Sequence, residues 1–562
     1  MPVIKGTHSK PGSVTAATGG LGGLAINNPN HSFRYLTLDL SAGAPAVDVN
    51  ALLPADDPAK VIKALLALAD KMFEQSDLAT PKSTIPPVYT YWGQFIDHDI
   101  TAGTDRDSNQ KPNLLESNIL DTSFAPQPHK EVELKIVNLR LPELDLDSVY
   151  GSEQGPNDAE VADEGIFAAD NVHLRVGEVS PGNAPPAPAG TTRDLPRRRK
   201  GEPGVADTRV GEARIGDGRN DENVIIAQFH TAFLHFHNAV VDMLQANPQI
   251  ASHSILAGLT PFEQARQIVR WTYQWLVVED YLKTIAKPQV VDDMLNAPTS
   301  FFPQASERFM PLEYSVAGFR FGHTMVRAAY DYNMNFTMHN PQIANASLVQ
   351  LFRFTHAGNF TPGKQNPADP RTDRLPGIWV IDWERFTNKH STVDEQFARK
   401  IDTNLALPLQ ALDTVDEVAA GQGVQGIVRN LARRNLLRGY LFNLPTGQHV
   451  AQSLGVPVLA NVAPTGKSEL KTVLEESGFD KRTPLWYYIL REAETDSNGQ
   501  GNRLGETGSR LVAGTIISML KSDAGSYINK GWTPTHTAAA KLHNEQPIQT
   551  IMDLFRFAGV AP

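Results

Sequence analysis

Residues 89–101 read YTYWGQFIDHDIT. The aromatic first half has the composition of a core, yet Gln94, Asp97, His98 and Asp99 interrupt it within six positions. Two carboxylates and an imidazole are costly to bury unless each meets a partner. On a helix, Gln94 and His98 share a face at i, i+4. Asp97, His98 and Asp99 step round by about 100° each, so the two aspartates diverge by about 200° and cannot readily serve one small metal together with His98. Three neighbours therefore face three directions and serve three tasks. Read alone, the stretch fits a solvated helix end better than a site.

The surrounding chain reads as mostly α. Apolar residues recur at three- and four-residue spacing in PAKVIKALLALADKMFE (58–74), NVIIAQFHTAFLHFHNAVVDML (223–244) and TPFEQARQIVRWTYQWLVVEDYLKTI (260–285). Further helices are expected in SVAGFRFGHTMVRAAY (315–330), GIVRNLARRNLLRGYLF (426–442) and RLVAGTIISMLKS (510–522). No internal repeats stand out, and alternating strand patterns are few, with FRYLTLDL (33–40) a short exception. Residues 1–75, rich in Gly, Ala, Pro and Asn at their start, are expected to form an extended arm on a main body at 76–562. Residues 180–204 are a Pro/Gly-rich loop, whose RRRK run (Arg197 to Lys200) reads as a solvated patch.

Composition narrows the function. A chain of 562 residues, 41% hydrophobic, can bury a large core. Its net charge of −11 argues against a dedicated nucleic-acid binder. No uninterrupted apolar run approaches the roughly 18 residues of a membrane span. The start, MPVIKGTHSKPGS, lacks the apolar stretch of a secretory signal, which leads to an expectation of a cytoplasmic protein or one exported without a leader. The absence of cysteine excludes disulfides and thiolate chemistry and suits a protein that handles oxidants.

WGQFIDHDIT closely resembles the distal-histidine segment of the animal-type haem peroxidases, within the peroxidase–cyclooxygenase superfamily that includes myeloperoxidase. LDLDSVYGSE, GDGRNDEN, FRFGHTM, RNLLRGYLFNLPTGQ and TPLWYYILREAE followed by RLVAG then stand in the family's order, over roughly residues 80–520. The resemblance implies a mainly α catalytic domain with haem b buried between core helices. It implies an enzyme that uses hydrogen peroxide, through a ferryl intermediate, to oxidise a halide, thiocyanate or a small aromatic donor.

By the resemblance, His98 is the distal base, Gln94 helps to hold water, peroxide or a halide, and Arg219 is the distal cation. An imidazole can take a proton from peroxide and return it to the departing oxygen. A fixed cation answers the charge that develops as the O–O bond breaks. Asp97 and Glu222 match the carboxylates that form ester bonds to haem methyl groups. Asn223 stands where myeloperoxidase has a methionine that makes a third link. Its absence favours bromide, iodide, thiocyanate or phenolic donors over chloride. His323 matches the proximal iron ligand, Asn435 matches the partner of its second nitrogen, and Arg320, at i−3 from His323, is a candidate for a haem propionate.

For Asp99 the family solution is calcium, a hard cation bound by oxygen. Asp145 and Asp147 would add carboxylates, and Leu141 and Glu143 carbonyls. Leu141 replaces a threonine and Asp147 a serine, one hydroxyl lost against one charge gained. His230, His235 and His237 lie close in sequence, but with no suitably spaced carboxylate they read as core or hydrogen-bonding residues.

Two other classes compete. A fatty-acid dioxygenase of the cyclooxygenase or α-dioxygenase branch typically carries a tyrosine three residues before the proximal histidine, where this chain has Arg320. A non-enzymatic haem scaffold would predict a damaged distal site, whereas His98, Arg219 and Gln94 are all present.

Overall fold

The protein is described from a computed structural model. The structure describes residues 32–73, 83–102, 124–152, 154–158, 165–180, 191–206, 209–248, 256–298, 300–302, 308–337, 340, 344–355, 373–387, 396–412, 429–464, 467–534 and 546–562. It is mainly helical, with β structure among these residues limited to short pairs and isolated bridges. Its helices include α1 (Pro58–Asp70), α2 (Val88–Ile100), α3 (Val224–Ala246), α4 (Pro261–Leu276), α5 (Gly322–Met325), α6 (Leu431–Leu441), α7 (Leu485–Thr495) and α8 (Glu506–Ser522), of which α2, α5 and α6 line the site.

α3 is the central rod. Asn223 caps it by accepting from the Ile226 amide, and every residue from Val224 to Leu234 is buried, while Asp242 and Gln245 near its other end are exposed. By length and composition α3 could cross a membrane, but 83% of its most apolar window is buried inside this protein. It packs on α4, which begins with a Thr260–Glu263 capping box, and on α2. Phe95 of α2 lies 5.0 Å from Phe229 and 4.8 Å from Phe233 between ring centroids, and those two share one face of α3 at i, i+4. After α4 the helix widens into a π turn, Val277–Leu282, which carries Tyr281 against α2. A side chain at position 93 would run into the Tyr281 hydroxyl, so the glycine permits that approach.

Three expectations need correction. SVAGFRFGHTMVRAAY is not one helix: a π turn (Glu313–Ala317), a 3-10 turn (Gly318–Phe321) and α5 follow each other, then the chain extends into Ala329–Tyr330, which pairs with Ala346–Ser347. Tertiary bonds outcompete the helix here. The buried Glu313 carboxylate accepts the Leu36 and Thr37 amides, and the Arg327 amide donates to the Tyr330 hydroxyl at 3.0 Å. FRYLTLDL forms only a two-residue strand, Phe33–Arg34, parallel to Met310–Pro311, because Glu313 takes the amides that follow. The RRRK run is not a solvated patch. Arg197 is buried between Asp194 and Asp221, Arg198 is buried too, and only Lys200 of the four is exposed. Residues 181–190 of the Pro/Gly-rich loop lie outside the described residues.

Candidate active site

A cavity of about 250 Å³ collects residues that are more than 300 positions apart in sequence. α2 supplies Gln94, Asp97 and His98, and the turn Gly218–Asp221 with the residue after it supplies Arg219 and Glu222. Arg320 and His323 come from the segment around α5, and Asn435 comes from α6. Every residue that the sequence assigned to the haem pocket therefore lines one space. The Asp99 side belongs elsewhere, as the helical angles required.

His98 is buried, and its Nδ1 lies 2.8 Å from Asn220 Oδ1, which leaves Nε2 as the ring nitrogen available to the cavity. Burial first, and the Arg219 charge second, push its pKa down to about 4, so the imidazole is neutral at physiological pH. Arg219 is itself braced. Its Nη2 donates to Asp217 at 2.7 Å and to the His98 carbonyl at 2.8 Å, and its Nε donates to the same carboxylate. Burial would raise the Asp217 pKa, but the Arg219 and Arg140 guanidiniums outweigh it and hold the carboxyl well below its ordinary range.

Gln94 Nε2 donates to Glu222 at 2.9 Å, while Gln94 Oε1 accepts from Asn223 at 3.2 Å. Asn223 thus caps α3 with its oxygen and orients Gln94 with its nitrogen. Burial pushes the Glu222 carboxyl up to about 7.

On α5, His323 Nδ1 lies 2.8 Å from the Asn435 amide. Nδ2 is the nearer amide atom, and a flip about the terminal torsion presents Oδ1 in the same space to an Nδ1–H. Burial, then Arg320, Arg434 and Arg438, hold the His323 pKa well below its usual value. Arg320 Nε donates to the Ser315 carbonyl at 2.9 Å. A Cβ on Gly322 would meet only open space, so this stretch of backbone borders the cavity directly.

A second cluster joins carboxylate oxygens of Asp99, Asp145 and Asp147 within 4.8 Å of one another. Burial raises the Asp99 pKa far above normal, and the charges of Asp145 and Asp147 add to it. Asp147 Oδ1 is buried with no hydrogen-bond partner among the described residues, although Oδ2 pairs with Arg140 at 2.8 Å. Leu146 sits at a φ of 60°, a left-handed turn that folds the loop back on itself. The Glu143 side chain turns to Arg308 at 2.6 Å. Leu141 lies in the same loop.

Sequence reasoning missed Asn220, Asp217, Arg140, Arg434 and Arg438. Arg434 and Arg438 were detectable in principle, because they share a face of α6 at i, i+4 beside Asn435. Nothing in the sequence alone pairs Arg140 with Asp217. His230 and His237 are buried and hydrogen-bonded, and His235 meets the Thr192 carbonyl.

Residues 135–360, which include Arg219 and His323, match the animal haem peroxidase family. The chain is 28% identical over 271 residues to a peroxidase-like protein of Margaritifera margaritifera, covering 44% of this chain and 32% of that one. It is 27% identical over 187 residues to thyroid peroxidase of Mus musculus, covering 33% and 19%. The aligned region thus spans a third or less of these relatives. Peroxidase A of Dictyostelium discoideum shares the fold with a TM-score of 0.58 at 16% identity, over 94% of both chains. A fatty acid α-dioxygenase of Arabidopsis thaliana shares it at 0.52 and 14% identity, over 98% of this chain and 85% of that one. With the pocket in view, residues 135–360 are similar to an animal haem peroxidase domain, and the relatives and the shared fold support the peroxidase–cyclooxygenase superfamily.

Proposed function

We propose that this chain is a haem peroxidase that uses hydrogen peroxide to oxidise bromide, iodide, thiocyanate or a small aromatic donor. One observation carries the reading: two imidazoles, His98 and His323, share one cavity, and each has Nδ1 held at 2.8 Å by an asparagine so that Nε2 is the nitrogen left for chemistry.

The family implies haem, and the residues fit it. His323 offers a neutral nitrogen for iron, the backbone at Gly322 leaves room for a flat ring, and Arg320, Arg434 and Arg438 provide cations for propionates. When bound, haem supplies an iron that takes two oxidising equivalents from peroxide and passes them to the donor. His98 accepts a proton from peroxide at Nε2 and returns it to the departing oxygen. Arg219 sets a fixed positive charge beside that oxygen. Asp97 and Glu222 are the carboxyls for ester links to the ring, and an ester at Glu222 would remove the charge that burial disfavours. Asn223 has no sulfur to form a third link, which argues for donors easier to oxidise than chloride.

Calcium is proposed for the acidic triad. An Asp147 oxygen without a partner among the described residues and three crowded carboxylates are the environment a hard cation relieves. Carbonyls of Leu141 and Glu143 would complete the set, since the Glu143 carboxylate is already engaged.

The test is a haem-supplemented preparation assayed for a Soret band and for guaiacol or bromide oxidation with peroxide. His98→Gln should lower the peroxide rate constant by about 10²- to 10⁴-fold. No Soret band, or an unaffected variant, overturns the reading. A fatty-acid dioxygenase is the second reading, motivated by the α-dioxygenase fold likeness. Oxygen uptake with a long-chain fatty acid but none of the peroxidase activity would favour it.

A further inference from the structure

Beside the proposed base sits a side chain that decides which of its nitrogens is basic. Asn220 is fully buried on the Gly218–Asp221 turn, next to Arg219. Its Oδ1 lies 2.8 Å from His98 Nδ1, and its Nδ2 lies 3.0 Å from His230 Nδ1. An amide has one acceptor end and one donor end, so the two bonds are linked in sense. When Oδ1 accepts from His98, Nδ2 must donate to His230. His230 is fully buried on α3, and its Nε2 has no hydrogen-bond partner among the described residues.

The turn holds the amide still. The Asn220 amide N–H donates to the Asp217 carbonyl at 3.0 Å, the Arg219 N–H donates to the Asp217 carboxylate at 2.9 Å, and Arg140 grips that carboxylate at 2.6 Å.

We propose that Asn220, braced by His230, is a positioning residue that fixes His98 in the Nδ1–H tautomer and so presents the Nε2 lone pair to the cavity. The inference rests on the peroxidase reading for its consequence. In the other tautomer an N–H would face the cavity, and His98 could donate to bound peroxide but not take its proton. With Asn220 in place, the proton leaves peroxide for Nε2 and returns from Nε2 to the departing oxygen, while the other proton stays on Nδ1, donated to the asparagine oxygen throughout. A single amide thus separates a base from a mere hydrogen-bond donor.

Two measurements test this. The first is ¹⁵N spectroscopy of histidine-labelled full-length protein without haem, with His98→Gln identifying the signal. Wild type should show a protonated Nδ1 and an unprotonated Nε2 at His98. Asn220→Leu should shift the population toward Nε2–H, and Asn220→Asp, whose carboxylate can still accept from Nδ1, should restore the wild-type pattern. The second is the rate constant for peroxide with the haem-loaded protein, expected to fall about 10- to 100-fold in Asn220→Leu and to recover in Asn220→Asp. The Soret band and melting temperature serve as controls for folding.

A wild-type His98 protonated at Nε2 overturns the proposal. So does an Asn220→Leu variant that keeps both the tautomer and the rate. Failure of the whole chain to bind haem would instead overturn the peroxidase reading, and the haem-free spectrum would still decide the tautomer. Should Asn220→Leu not fold, the wild-type and Asn220→Asp spectra decide.

Discussion

Arg140 Nη2 donates to Asp217 Oδ2 at 2.6 Å, and both side chains are fully buried. The other arm of the same guanidinium reaches Asp147, so one side chain joins the acidic triad to the turn that carries Arg219 and Asn220. Arg140→Leu removes one of the two guanidiniums that hold buried Asp217 and, at the same time, the guanidinium paired with half-buried Asp147. Breaking a buried pair from one side costs about 3–5 kcal/mol. Thermal unfolding should show a fall of that order. A melting temperature within a degree or two of wild type would mean that the network is not stabilising.

The acidic triad predicts a metal-dependent stability. Chelation should lower the melting temperature, and added calcium should restore it, since a cation at 100 times its Kd contributes about 2.7 kcal/mol. Asp99→Asn should abolish the calcium response. A response to calcium that survives this change would place the ion elsewhere.

The pairing of His323 with Asn435 predicts a redox effect. His323→Ala should eliminate the Soret band of the reconstituted protein. Asn435→Asp should make the imidazole more anionic and lower the iron reduction potential, read by spectroelectrochemical titration. An unchanged potential would show that Asn435 does not govern that ligand.

Glu222 predicts how haem-free stability depends on pH. Its folded pKa of about 7 lies above the ordinary carboxylate value of 4.5, so the stability it contributes is present below pH 4.5 and is lost as pH rises through 7. Glu222→Gln should remove that slope and leave the variant more stable than wild type above pH 7, by up to roughly 3 kcal/mol. Denaturant titrations across pH 4–8 check the sign. Parallel slopes for the two proteins would refute it.

The role proposed for His98 predicts the pH dependence of the peroxide reaction. Its depressed pKa keeps the base neutral down to about 4, so the rate constant should stay level from pH 8 to 5 and fall below that. A fall already centred near pH 6.5 would mean that burial does not perturb this imidazole.

The sequence by itself determined the mainly α class, because helical periodicity in 223–244, 260–285 and 510–522 is a local pattern that needs no partner. It also determined the divergence of Asp97, His98 and Asp99, since helix geometry fixes those angles whatever surrounds them: His98 lines the cavity and Asp99 joins the acidic triad. The motifs named His323 and Asn435 before any distance was known. Only the tertiary structure decided that SVAGFRFGHTMVRAAY breaks into short turns, that Arg197 is buried, and that Asn220 reaches both His98 and His230. Each of these depends on groups far apart in the chain. The sequence states which polar groups must be satisfied, but the fold chooses which partners satisfy them.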